Sequence, residues 1–275
     1  MTSIKKILAA AATIIMTMSC NQNNGPKVLV LYYSQTDNTK TVAEEIASRL
    51  GADIEAVVPV NPYSGSYQET IDRCLKEIEA DSLPEVKPLS SNLKKYDIVF
   101  LGYPIWFGTC AFPIASVLSK VDFSGKKIIP FCTFGSGGLE SSTKDIIKDE
   151  PGAEVLPGYG VRASRIKAVP DEIDRFLKES GFLEGAYDKY DDFSDSHPVT
   201  DEESAIFDTA VSGYRMINAK AKTVSSRAVR NGTEYLFVAE DIPGNPAFAA
   251  GATHEIKVYV LSLKDKAPEF TRVVR

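Results

Sequence analysis

Residues Val28 to Ala47, VLVLYYSQTDNTKTVAEEIA, constrain the fold more than any other stretch of the chain. Val28 to Tyr33 is apolar, β-branched or aromatic throughout and lacks the alternation of a strand with one wet face. Such a run predicts a central strand of a parallel sheet, covered on both faces. From Thr39 to Leu50, Val42, Ile46 and Leu50 recur at helical spacing, Lys40, Glu44 and Arg49 fall on the other side, and Gly51 supplies the stop. A strand therefore runs straight into a helix. The join, Ser34-Gln35-Thr36-Asp37-Asn38-Thr39, offers hydroxyl and amide groups beside the unpaired N–H groups of a first helical turn, a combination suited to a phosphate dianion. It has neither the spaced glycines and Gly-Lys-Ser/Thr ending of a nucleoside-triphosphate loop nor a Gly-x-Gly-x-x-Gly dinucleotide fingerprint.

The same strand-to-helix step recurs downstream. Asp53 to Val58 reads as a second strand, followed by a polar insertion with Tyr63, Gly65 and Tyr67 and by a surface helix from Gln68 to Ala80. Asp97 to Gly102 is a third strand that runs into the loop Tyr103-Pro104-Ile105-Trp106-Phe107-Gly108 and a helix from Pro113 to Val121. Lys127 to Phe131 is a fourth, followed by Cys132-Thr133-Phe134-Gly135-Ser136-Gly137-Gly138 and a helix from Ser141 to Asp149. A fifth strand near Glu154 to Leu156 and a helix from Pro170 to Ser180 complete the series. Alternation of this kind predicts an α/β domain with helices on both faces of a parallel sheet. Trp106, the single tryptophan, follows a parallel strand in a Pro-x-aromatic-aromatic-Gly loop, a place for clamping a flat ring rather than for core. The glycines of the third loop allow backbone to approach a ligand closely.

Three joins in this order, a Ser-x-Thr-x-Asn-Thr turn, a Gly-Tyr-Pro-Ile-Trp loop and a Gly-Ser-Gly-Gly loop, resemble those of the flavodoxin family, over residues 27–184. The resemblance implies a flavodoxin-like doubly wound five-stranded sheet of order 2-1-3-4-5, with noncovalent FMN at the crevice between the first and third strands. It implies cofactor contacts from Ser34, Gln35, Thr36, Asn38 and Thr39 at the phosphate, from Pro104, Ile105, Trp106, Phe107 and Gly108 in the first ring loop, and from Thr133, Phe134, Gly135, Ser136, Gly137 and Gly138 in the second. Trp106 or Phe107 is expected to stack on the ring, and Tyr63 and Tyr67 either cover its edge or pack their own loop. Asp37 stands where the family usually has glycine. A carboxylate aimed at a phosphate from about 5 Å, at an effective dielectric of about 20, costs roughly 3 kcal/mol, so Asp37 is expected to face solvent.

The resemblance implies no catalytic side chain: FMN carries the chemistry, and the protein binds and tunes it for a redox partner protein. An apolar surround and a net charge of −6 both oppose extra negative charge on the ring, which implies a low-potential electron carrier. An FMN-dependent NAD(P)H quinone or nitro reductase is the alternative. For its nicotinamide phosphate only Arg162 and Arg165 offer a basic pair, otherwise read as solvated charges. An exported binding module that has lost its flavin is the other.

Met1 to Cys20, with Lys5 and Lys6 before an apolar stretch from Ile7 to Met18 and then Ser19-Cys20, reads as an export signal. It resembles a bacterial lipoprotein leader, with Thr17 where leucine is usual. That implies lipidation of Cys20, a linker over residues 21–26, a place at the periplasmic face of the cell envelope, and membrane contact only through the anchor. With 31 Lys and Arg against 37 acids there is no basic footprint for nucleic acid. Cys74, Cys110 and Cys132 form no C-x-x-C and the two histidines lie far off, so no metal site is expected. Buried free thiols are expected, a Cys110–Cys132 bridge being the other option.

Residues 185–199 form an acidic, aromatic linker to a second unit over residues 200–275. There a helix from Thr200 precedes strand-like runs at Ala219 to Arg230, Tyr235 to Glu240, Glu255 to Leu263 and Glu269 to Val274, with Asn231-Gly232 as the hairpin turn. One helix on four antiparallel strands resembles the cystatin-like α+β fold. Of the inhibitory Gln-x-Val-x-Gly hairpin only Gly232 is kept, Ala228 and Arg230 replacing the glutamine and valine, so a structural or partner-binding appendage is implied rather than an inhibitor.

Overall fold

The computed structural model describes residues 25–214, 217–241 and 254–275. The leader, Cys20 and residues 21–24 of the linker lie outside the described residues. The first unit runs β1 (Val28–Tyr32), α1 (Asn38–Leu50), β2 (Asp53–Ala56), α2 (Tyr67–Glu79), β3 (Ile98–Trp106), β4 (Thr109–Cys110), α3 (Phe112–Leu118), β5 (Lys127–Phe134), α4 (Leu139–Asp149), β6 (Glu154–Val155), β7 (Tyr159–Arg162) and α5 (Val169–Glu179). Its sheet has the order β2-β1-β3-β5-β6, with β7 on β5 and β4 on β3. All pairs are parallel except β3 with β4. With that hairpin strand set aside, the order is the expected doubly wound 2-1-3-4-5.

Alternate residues of each central strand enter different cores, which is why β1 needs no polar positions. Leu29, Leu31, Val99, Leu101 and Ile128 join the core closed by α3 and α4 through Ile114, Val117 and Ile146. Val30, Ile98, Phe100, Ile129 and Phe131 meet Val42 and Ile46 of α1 and Ile173 and Leu177 of α5 on the other face.

The third and fifth strands of this unit differ from expectation. The third extends through Pro104, Ile105 and Trp106, read above as loop, because Phe107 and Gly108 take φ of 49° and 84° and make a two-residue turn that pairs Trp106 with Thr109 and Ile105 with Cys110. The fifth is broken into β6 and β7 by Leu156-Pro157-Gly158, where three residues stand against Ile129 and Pro130 of β5. The added residue and the proline, which lacks an N–H, interrupt the ladder.

The second unit is a separate antiparallel sheet: β8 (His197–Pro198), α6 (Asp201–Val211), β9 (Ala219–Val229), β10 (Gly232–Asp241), β11 (His254–Leu263) and β12 (Glu269–Val274), in the order β12-β11-β10-β9-β8. The end of the acidic linker is thus strand, with His197 and Pro198 paired to Val224 and Thr223. Phe207 of α6 packs on Phe237, Val224, Val258 and Phe270. A capping box, Thr200 with Glu203, starts the helix.

The β9–β10 hairpin turns one residue earlier than Asn231-Gly232. Val229 pairs with Gly232, Arg230-Asn231 makes the turn, and Asn231 takes the left-handed φ of 62°. Gly232 is required for a different reason: a Cβ there would collide with the carbonyl oxygen of Ser262 on β11. Gly232→Ala is therefore expected to lower stability by about 1–3 kcal/mol in urea denaturation, whereas Asn231→Gly changes it by less than about 1 kcal/mol.

Candidate functional site

The strand order reverses between β1 and β3, and three segments meet beyond the carboxyl ends of β1, β3 and β5. In the first, Asp37 adopts φ 61° and is exposed, so its carboxylate is free to turn away from an anion. Its carbonyl accepts the first helical bond, from Thr41 N–H at 2.9 Å, which leaves the N–H groups of Asn38, Thr39 and Lys40 ahead of the ladder. Asn38 donates weakly to the Thr36 hydroxyl at 3.4 Å. The side-chain amide of Gln35 donates to the Thr70 hydroxyl of α2 at 2.8 Å and so braces the loop. The Ser34 hydroxyl oxygen is buried and has no hydrogen-bond partner. Leaving such a group unpaired costs about 1–3 kcal/mol, and at the mouth of an anion-holding turn it fits a ligand oxygen.

The second segment is the β3–β4 hairpin. Trp106 is half-buried and meets Tyr33, Tyr63 and Phe112 edge-on, at centroid separations of 5.6, 4.8 and 6.2 Å. Its indole is thus braced by protein on several sides. Phe107 is 53% exposed and only stacks loosely on Phe112 at 6.3 Å, in a left-handed conformation that costs a bulky residue about 1–2 kcal/mol. Tyr63 is buried, packs on Trp106 and lies under the Arg73 guanidinium at 3.7 Å, whereas Tyr67 is 82% exposed. Of the two tyrosines, Tyr63 packs its own loop.

In the third segment Thr133 and Phe134, read above as loop, are the last residues of β5 and are buried. The strand continues because β7 pairs with it as far as Phe134 opposite Arg162. The Phe134 ring is buried in the core. Gly135 to Gly138 form the actual loop. A Cβ on Gly138, at φ 123°, would lie 2.7 Å from the Ile105 side chain, and one on Gly137 would collide with the carbonyl oxygen of Val273. On their Cα side these two glycines therefore admit other protein segments.

The three segments brace one another. Thr39 and Thr133 share a buried hydroxyl hydrogen bond of 2.8 Å, joining the first to the third. Ser141 donates to the Gly108 carbonyl and Thr109 to Asp145, each at 2.6 Å, tying the hairpin tip to α4. Trp106 against Tyr33 joins the first to the second.

Arg162 and Arg165 are not the solvated charges expected. Arg162 donates to the Gly135 carbonyl at 2.9 Å and to the Phe270 carbonyl at 3.0 Å. Arg165 pairs with Glu172 and with Glu269 of β12, both at 2.9 Å. Nothing local in the sequence marks the contacts to β12, since Phe270 and Glu269 lie 108 and 104 residues away from their arginines. Cys74, Cys110 and Cys132 are free and buried, as expected. Burial pushes the thiols of Cys74 and Cys110 up to about 11 and about 12 and that of Cys132 well up from its ordinary value. Among the described residues no helix is long and apolar enough to cross a membrane.

Residues 27–175 match the flavodoxin family model, more than half of the 275-residue chain. The chain belongs to the flavodoxin family. It is similar to a candidate flavoprotein from Bacteroides eggerthii at 28% identity, covering 55% of this chain and 97% of that one with a TM-score of 0.48. A flavoprotein from Lactobacillus acidophilus, solved in complex with FMN, shares 24% identity over 50% of this chain and 93% of its own, with a TM-score of 0.45. Oxidised flavodoxin 2 from Bacillus cereus matches at 18% identity over 56% of this chain and 99% of its own, with a TM-score of 0.35. No curated protein has a significant match to the chain.

Ser34→Ala removes an unpaired buried hydroxyl and is expected to raise the stability of the cofactor-free protein by about 1 kcal/mol in urea denaturation. The raised thiol values mean that folding holds these protons. That contribution is complete below the ordinary thiol value of about 8.5 and is lost as pH rises toward the folded values. Alkylation of native protein at pH 8 should leave Cys74, Cys110 and Cys132 unlabelled and reach them only after unfolding.

Proposed function

We propose that this protein is an FMN-binding electron-transfer flavodoxin of the cell envelope. Family membership supports the cofactor, and one observation carries the reading to particular residues: the orphaned Ser34 hydroxyl, buried at the start of a helix-opening turn whose amide groups precede the helical ladder. The hydroxyls of Ser34 and Thr36, the Asn38 amide and the first N–H groups of α1 would hold the phosphate. Asp37 is exposed, which removes the main electrostatic objection. The β3–β4 hairpin would lie along the ring, with the strained, exposed Phe107 available to it or to a redox partner, and the Gly135–Gly138 backbone would meet its edge. When bound, FMN supplies one- and two-electron transfer. The residues of this chain bind it, orient it and limit the water around it.

A carrier is favoured over an NAD(P)H-dependent reductase because Arg162 and Arg165 are taken up by β12 and are not offered to a nicotinamide phosphate. Placement at the envelope rests on the Met1–Cys20 leader and its lipoprotein-type cysteine. The helix and antiparallel sheet of the second unit support a cystatin-like reading of that appendage.

The test compares FMN with riboflavin, which lacks the phosphate, by flavin fluorescence quenching on apoprotein. Wild-type protein should bind FMN tightly and show flavin absorption bands. Ser34→Ala should weaken FMN about tenfold, the worth of one hydrogen bond to a charged group, and leave riboflavin unchanged. A wild-type protein indifferent to FMN would sink the reading, and equal losses for both ligands would remove Ser34 from the phosphate site.

A further inference from the structure

We propose that the second unit is a clamp on the third loop, holding it so that the amide groups of Ser136 and Gly137 face bound flavin; the inference rests on the FMN reading above. The family match ends at residue 175, so the clamp is an addition to the flavodoxin part. Its strand β12 is the edge of the antiparallel sheet. Val273, paired on one side with Val258, uses its outward N–H to donate to the Ser136 carbonyl at 2.7 Å. The Val273 carbonyl oxygen comes so close to Gly137 that no side chain would fit there.

Arg162 completes the grip. It donates to the Gly135 carbonyl and to the Phe270 carbonyl of β12, and its guanidinium lies 3.5 Å over the Phe270 ring. Arg165 to Glu269 and Arg272 to Glu140 add an ion pair on each side.

The geometry of a trans peptide turns these contacts into an orientation. The N–H of each unit points opposite to its C=O. With the Gly135 carbonyl fixed toward Arg162 and the Ser136 carbonyl toward Val273, the N–H groups of Ser136 and Gly137 point away from the clamp. Neither N–H has a hydrogen-bond partner among the described residues. Two adjacent donors held outward, on a loop braced to the hairpin through Gly138 and Ile105, suit the acceptor atoms along the edge of a ring. By linkage, a clamp that favours flavin is itself tightened by flavin to the same degree.

The experiment uses the full mature chain and two substitutions in β12, neither placed in the cofactor site. Val273→Pro removes the N–H that reaches Ser136, and proline is tolerated on a sheet edge. Glu269→Arg sets a like charge against Arg165 and leaves the strand ladder intact. FMN affinity, hydrogen exchange at Ser136 and Gly137, and proteolysis within residues 185–199 with and without FMN are measured for each. Each variant is expected to weaken FMN about three- to tenfold, the worth of a hydrogen bond or a partly buried ion pair. FMN should slow exchange at the two amides and cleavage of the linker in wild type, and do so less in the variants. Should Val273→Pro unfold the sheet, Glu269→Arg decides. Wild-type affinity in Glu269→Arg, together with linker cleavage that ignores FMN, would overturn the clamp while the FMN reading stands. Failure of the wild type to bind FMN would overturn both.

Discussion

Burial of the central strands on both faces is the constraint from which the rest follows. Leu29 and Leu31 point into one core and Val30 into the other, so β1 has no side on which a polar residue could reach water. Val99, Leu101, Ile98 and Phe100 repeat the arrangement in β3, and Ile128 and Ile129 in β5. Polar chemistry is thereby displaced to the strand ends, where backbone leaves the sheet and N–H groups lose their ladder partners. At the reversal of strand order the ends of β1 and β3 are not bridged by a crossover, and the Ser34–Thr39 turn, the hairpin and the Gly135–Gly138 loop occupy that margin.

Cross-bracing makes this margin a site. The Thr39–Thr133 bond, the Ile105 side chain over Gly138 and the Ser141 bond to Gly108 connect segments that are remote in sequence. Each bond consumes a polar group that could have met a ligand, and the groups left over define what the site offers: the Ser34 hydroxyl, the first amides of α1 and the amides of Ser136 and Gly137. The Phe107–Gly108 turn tolerates a strained aromatic because the paired strand ends on either side fix its geometry.

Much of this was legible in the chain itself. The βα alternation, the helices and the position of each join are periodic or local signals, and they appear with boundaries shifted by a few residues. The extension of β3 into Trp106 comes from the Phe107–Gly108 turn and its Thr109–Cys110 partner, the split of the fifth strand from its register against β5, and the shifted Asn231-Gly232 turn from the pairing of Val229 with Gly232. The bond from the Gln35 side-chain amide to Thr70 is another contact that the local pattern does not show. The two tyrosines that flank Trp106, Tyr33 and Tyr63, come from other parts of the sequence.

By itself the sequence determined the class of fold, the presence of a second α+β unit and the three joins, because apolar periodicity and turn chemistry are properties of neighbouring residues. Only the tertiary structure decided which polar groups in those joins remain free. It also decided that Arg162 and Arg165 serve β12, and that Gly137 admits Val273. These are matters of which distant group arrives first at a shared donor or a shared volume, and no local pattern records the answer.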